Sequence, residues 1–295
     1  MKKKDVLDGI VEYVDYPNRS VVMIEGKRVV VKNAIPGQKI RFRVLKTREG
    51  KASGRLLEVL EKSPLQTEDK ACDIFPACGG CLYQTVPYEE QLKIKKEQVY
   101  KLLSPYFDEN TQFDGIKASP SPWAYRNKME FSFGNEVKNG PLTLGLHRRA
   151  STYDVLTATT CKLVHEDLRK ILQATLEYVQ EQDFKPYNKI RHDGYMRYLL
   201  VRRSEKTGEV LVCLVTSTEQ DHNFDPWAKR LQELELEGSF AGIIHAHCDC
   251  FADDVKAEDA RIIYGKDWIT EELLGLNFKI SLFSFFQTNS AGAEV

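Results

Sequence analysis

The chain has 295 residues, 42% of them hydrophobic and 29% charged, enough for two domains with cores of their own. No apolar run approaches membrane-spanning length, and the opening MKKKDVLDG has no apolar signal region, so a cytoplasmic chain with no membrane partner is expected. The formal charge of −1 is unevenly spread, +7 over residues 1–62 and −8 over the rest, a basic head suited to a polyanion.

Residues 5–60 read as five short strands. Ile10, Val11 and Val14 mark the first, Val21, Val22 and Ile24 the second, Val29–Val31 the third, and alternating Ile40, Phe42 and Val44 the fourth. Glu25-Gly26-Lys27 and Glu49-Gly50-Lys51 are expected hairpin tips, and Ala34-Ile35-Pro36-Gly37 a turn. With Arg41, Arg43, Lys46, Arg48 and Arg55 interleaved, this pattern predicts a small closed barrel of the oligonucleotide-binding kind. Such a barrel presents a basic face to nucleic acid. Glu61-Lys62-Ser63-Pro64 is the expected boundary.

Next come Cys72, Cys78 and Cys81, in C-x5-C-x2-C with Gly79-Gly80 between the last two. Thiolates this close, with glycines letting the backbone wrap a ligand, suit an iron–sulfur cluster or a zinc ion. A disulfide is disfavoured where cytosolic thiols stay reduced. Cys161 is either a fourth ligand or a core thiol, and Cys213 reads as strand core. A helix is expected from Pro87 to about Leu103, with a stripe of Tyr88, Leu92, Val99 and Leu103. Beyond 125, strands are expected at Met129–Phe133, Tyr198–Arg202, Val210–Val215 and Phe278–Leu282, a helix at Glu166–Gln180, and a hairpin tip at Thr207-Gly208-Glu209. In HAHCDC, strand alternation would put His245 and His247 on one face and Cys248 and Cys250 on the other. These side chains would not converge on one ion, and the segment reads as an exposed loop.

The chain resembles the bacterial RNA uracil-5-methyltransferases, most closely those that modify large-subunit ribosomal RNA. The likeness runs through AIPGQ in a TRAM-like barrel, CDIFPACGGCLYQ, VPYEEQLKIKKEQV, SPWAYRNKMEFSFG, LGLHRRASTYDV, TTCKL and YGKDWITEELLGLNFKISLFSFFQTN. It implies a mostly β chain with α-helices. An OB-like TRAM barrel would cover 1–62, and a central mixed-sheet domain 63–282. Residues 283–295 would begin a methyltransferase domain. The resemblance further implies a [4Fe-4S] cluster on Cys72, Cys78, Cys81 and Cys161, and an S-adenosyl-L-methionine contact at Gln287. RNA, most closely 23S ribosomal RNA, is the implied partner, with no obligate protein partner. Its contacts would be Arg41 and Arg43 on the barrel, then Arg126, Lys128, His147, Arg148 and Arg149.

In that family a cysteine thiolate adds at carbon 6 of uracil, the enolate takes the methyl group, and a base removes the carbon 5 proton. The groups responsible lie in a Rossmann-like domain past the FFQTN run. With the sequence ending at Val295, that domain is expected to be essentially absent, with no catalytic residue in the chain and no activity by itself. Helix 87–104 would pack on the missing domain. The alternative is a stand-alone RNA-binding iron–sulfur or zinc protein without methyltransferase activity.

Overall fold

The computed structural model describes residues 1–48, 51–251 and 259–295, and the chain forms two compact units. The first comprises Met1–Ala71 with Cys81–Ala118, the second Cys72–Gly80 with Ser119–Val295.

In the first unit, β1 (Val6–Asp15), β2 (Arg19–Ile24), β3 (Lys27–Lys32), β4 (Lys39–Arg48) and β5 (Lys51–Glu61) close a barrel in the order β1-β2-β3-β5-β4. Pairing is antiparallel except between β3 and β5, and β4 returns to β1 to complete the ring. Period-two alternation sends Ile40, Phe42 and Val44 inward to meet Val11, Val22, Val29 and Val31, while Arg41 and Arg43 point outward. Each such buried side chain stabilises the fold by about 1.5–3 kcal/mol. A Cβ on Gly54 would stand 2.6 Å from the Phe42 ring, so the barrel interior accepts only glycine there. The β2–β3 turn takes two positive φ values, 49° at Glu25 and 73° at Gly26, as a tight hairpin requires. The other expected tip, at Glu49-Gly50, lies outside the described residues.

Helix α1 (Tyr88–Leu103) carries Glu89 and Glu90 in its first turn and Lys101 in its last, both matched to the helix dipole. Its buried residues are Ile94 and Gln98, whereas the expected stripe of Tyr88, Leu92, Val99 and Leu103 is only partly covered. The helix lies on β1. Gln98 Nε2 donates to Asn18 Oδ1 at 3.2 Å, and Lys101 Nζ sits 2.7 Å from Asp15 and 3.7 Å above the Tyr13 ring. Ile94 joins Ile35, Tyr83 and Val86 in a small core of this unit.

The second unit contains β6 (Lys128–Asn135), β7 (Leu142–His147), β8 (Val155–Thr157), α2 (Glu166–Glu181), β9 (Met196–Arg203), β10 (Glu209–Thr216), α3 (Asp225–Gln232), β11 (Ser239–His247), β12 (Asp259–Gly265), β13 (Trp268–Leu273), β14 (Leu276–Ser281) and α4 (Ser290–Glu294). Seven strands form one sheet, β12-β11-β10-β9-β6-β7-β8, in which only β10 and β11 run parallel. Helix α2 packs on β7 and β9, and Trp227 of α3 donates to Thr175 Oγ1 of α2 at 3.1 Å. The β13–β14 hairpin supplies Ile269 and Ile280 to a core with Tyr198, Leu200, Leu211, Cys213, Val215 and Ile244. Covered on both faces, β9 is buried at every position, yet it carries Arg197, Arg202 and Arg203. No helix among the described residues is long and apolar enough to cross a membrane.

Candidate functional site

Within the second unit the segment Cys72–Gly80 is tied to the chain around the end of β7. The Gly79 amide donates to the His147 carbonyl at 3.0 Å, and a Cβ on Gly79 would come within 3.3 Å of that oxygen. The Arg149 amide donates to the Ala77 carbonyl at 2.7 Å, and Cys78 and Arg148 form an antiparallel bridge. The Arg149 guanidinium then reaches two more carbonyls of the loop, Pro76 from Nε at 3.1 Å and Cys78 from Nη2 at 3.0 Å. Cys161 follows β8, its amide bonded to the Ala158 carbonyl at 3.1 Å.

Cys72, Cys78 and Cys161 are buried in this unit, and Cys81 is half-buried in the first unit. Cys72 Sγ lies 4.0 Å from Thr160 Oγ1, and the Gly80 amide donates to Cys78 Sγ at 3.3 Å. Soft sulfur donors beside a backbone N–H suit an iron–sulfur cluster in their chemistry. Among the described residues no three His, Cys, Asp or Glu side chains are gathered closely enough to hold a metal ion.

Gln287 is exposed, at the end of a loop whose backbone is held from several sides. Asn127 Nδ2 donates to the Gln287 carbonyl at 2.9 Å and to Ser290 Oγ at 2.7 Å, and the Asn127 amide donates to the Thr288 carbonyl at 2.9 Å. Buried Arg202 donates from Nε to the Leu282 carbonyl at 2.9 Å and from Nη2 to the Ser284 carbonyl. Its burial pulls the guanidinium pKa down. Ser290 Oγ in turn donates to Glu271 at 3.0 Å, a carboxylate 1% exposed that also accepts from Ser204 Oγ at 2.9 Å. Neither Asn127, Arg202 nor Glu271 was expected from the sequence. A charged residue inside a strand as apolar as β9 is the signal that could have marked Arg202.

The expected RNA contacts divide by environment. Arg43 is exposed on the barrel, whereas Arg41 is bound by Asp8 at 2.8 and 2.9 Å and faces Glu58 at 3.6 Å. Lys128 pairs with Glu130 at 2.5 Å, and Arg148 with Glu136 at 3.0 Å. The Arg126 amide donates to the Leu163 carbonyl at 2.9 Å, and Arg126 bridges Val164, which ties YRNK to the turn after Cys161. His147 Nε2 lies 3.4 Å from Ser132 Oγ and 3.5 Å from Lys189 Nζ.

HAHCDC is not the exposed loop expected. His245 and His247 belong to β11, and His245 Nε2 bonds Thr216 Oγ1 at 2.9 Å. Burial, then His247, Arg261 and His222, lowers the His245 pKa to about 4. Cys248, fully buried, is joined to Cys250 by a disulfide, and Arg197 donates to both cysteine carbonyls, at 2.6 and 2.9 Å.

No protein-family model matches the chain. It is similar over its whole length to proteins named as uncharacterized RNA methyltransferases. It is 42% identical to one from Caldanaerobacter subterraneus subsp. tengcongensis, 41% to one from Clostridium tetani and 40% to one from Clostridium acetobutylicum. The chain spans 65% of the first of these and 64% of the other two. Its fold matches the crystal structure of Pyrococcus abyssi tRNA (uracil-54, C5)-methyltransferase in complex with S-adenosyl-L-homocysteine, with a TM-score of 0.70 and 22% identity. That match covers 97% of this chain and 62% of the other. These matches correct the expectation that a Rossmann-like methyltransferase domain is essentially absent. Nearly the whole chain superposes on a methyltransferase, and it spans only part of that protein and of its relatives, so Val295 does not define what the protein lacks. The expected inactivity rested on that ending and goes with it.

Proposed function

We propose that the protein is an S-adenosyl-L-methionine-dependent RNA uracil-5-methyltransferase, to which this chain contributes an RNA-binding barrel and a cysteine-loop domain. The observation that carries the reading is the likeness, across all of the chain, to proteins named RNA methyltransferases. A closed five-stranded barrel with a parallel β3–β5 pair and an outward Arg43 supports the RNA-binding part, since OB-type barrels hold nucleic acid on their outer strands. In this proposal the barrel is a TRAM domain, the substrate is 23S ribosomal RNA, and Gln287 touches the cofactor. Asn127 and Arg202 hold the loop that presents it. A [4Fe-4S] cluster would sit on Cys72, Cys78, Cys81 and Cys161, where it would act as a covalent clip.

Two measurements on the whole protein, purified without oxygen, test this. Tritiated S-adenosylmethionine is offered with unmodified large-subunit ribosomal RNA and, separately, with transfer RNA. Label at uridine carbon 5 of the ribosomal RNA is expected, label in transfer RNA alone would remove the 23S assignment, and label in neither would end the methyltransferase reading. Iron and acid-labile sulfide should each approach about four per chain. One zinc without sulfide would replace the cluster by a zinc clip.

A further inference from the structure

The tripeptide His147-Arg148-Arg149, expected from sequence to touch RNA, is built into the cysteine loop. Three backbone ties join the two segments: Gly79 amide to His147 carbonyl, Arg149 amide to Ala77 carbonyl, and the Cys78–Arg148 bridge. Arg149 adds a side-chain tie. The Arg149 guanidinium spans the loop, with Nε on Pro76 and Nη2 on Cys78. Arg148 instead faces away, to Glu136 at 3.0 Å and Asp154 at 3.7 Å.

We propose that Arg149 is a positioning residue for the cysteine loop: its guanidinium fixes the backbone on either side of Ala77 and so the direction in which Cys78 presents its sulfur. The planar fork matters. It supplies two N–H groups in fixed relative orientation to two carbonyls two residues apart, which an ammonium group cannot do. The inference rests on the proposed role of the cysteines as ligands, but the loop's order can be read without any metal.

The test uses the whole protein carrying R149A, R149K or R148A, purified without oxygen. The readouts are iron and sulfide per chain, the rate at which the visible absorption bleaches in air, and the salt dependence of RNA affinity. Losing two hydrogen bonds to an otherwise ordered loop should make R149A bleach about tenfold faster, with R149K close behind and R148A near the unaltered rate. The salt slope of loaded R149A should not change. Bleaching of R149A at the unaltered rate would overturn the inference. A slope shallower by about 0.7 with unaltered bleaching would overturn it too and make Arg149 a phosphate contact.

If the unaltered protein carries no iron, the cluster reading fails and thiol alkylation decides this inference. Cys72 and Cys78 should then label about tenfold faster in R149A than in the unaltered protein, with Cys213 still protected in the sheet as the control for folding. Equal rates would refute it. Where R149A exposes Cys213, the same comparison is made on R149K.

Discussion

Arginines of the barrel and arginines of strand β9 belong to the same residue type and do opposite things. Arg41 and Arg43 stand on the outer face of β4, one matched by Asp8 and Glu58, the other exposed. Arg197, Arg202 and Arg203 lie on a strand with no exposed position, and each is spent on internal acceptors. Arg197 holds the Cys248 and Cys250 carbonyls, Arg202 the Leu282 and Ser284 carbonyls, and Arg203 the Asp167 carboxylate at 3.0 Å and Glu237 at 3.2 Å. Counting basic residues therefore measures a surface only where the backbone turns them outward. In the barrel such a residue can serve a partner, while in the sheet it serves the fold.

The sharpest way to break this comparison is to remove one side of the buried pair. Asp167 is held below the usual carboxylate range: burial opposes this, but the amides of Glu237 and Gly238 and the Arg203 guanidinium outweigh it. Replacing Arg203 by Met leaves Asp167 buried and charged, and should cost about 3–5 kcal/mol in denaturant unfolding at pH 7. Because the folded pKa is depressed, the contribution of Asp167 is present above the unfolded value near 4 and is lost as pH falls through the folded one. The loss in R203M should therefore shrink at low pH. A cost under about 1 kcal/mol would mean that the pair is not desolvated.

Arg202→Met should come next, at about 2–3 kcal/mol, because two carbonyls of the loop before Gln287 lose their donor. Proteolysis within 282–288 should quicken in the same variant, and unchanged cleavage would separate Arg202 from that loop.

Third is His245. Its folded pKa near 4 lies below the ordinary 6.5, so its neutral form stabilises the fold fully above pH 6.5, and that stability is lost as pH falls from 6.5 to 4. The expected loss across that window is about 3 kcal/mol, and H245Q should flatten it. An unaltered pH profile in H245Q would assign the loss to other groups.

The smallest effects belong to the barrel. Arg41→Ala and Arg43→Ala should leave the unfolding midpoint within measurement error, since exposed pairs contribute little. In RNA binding they should differ: R43A should make the log–log salt slope shallower by about 0.7 and R41A by less, because Asp8 already claims Arg41. Equal slopes for the two would show that the Asp8 pair opens on binding.

Much of the scaffold was readable in advance because it rests on local period. Alternation at Ile40, Phe42 and Val44 located β4, the run at Val210–Val215 located β10, and the helix expected at Glu166–Gln180 is α2 at Glu166–Glu181. The short α3 at Asp225–Gln232 and strand β11 through His247 were missed, since eight residues give little periodicity and HAHCDC is polar in composition but covered by neighbours. Candidate thiols and Gln287 could be named from motif alone. Their supports could not: Asn127 is 160 residues from Gln287, and Arg149 is 71 from Cys78.

The sequence by itself determined which segments alternate, where chain reversals such as Glu25-Gly26 fall, and which residues have soft or cationic chemistry. Those properties depend on neighbours one to four positions away. Only the tertiary structure decided which cations face water and which are buried on carbonyls. It also decided that α1 lies on β1, and that Arg149 grips the cysteine loop. Hydrogen bonding and desolvation act between atoms a few ångströms apart in space, whatever their distance along the chain.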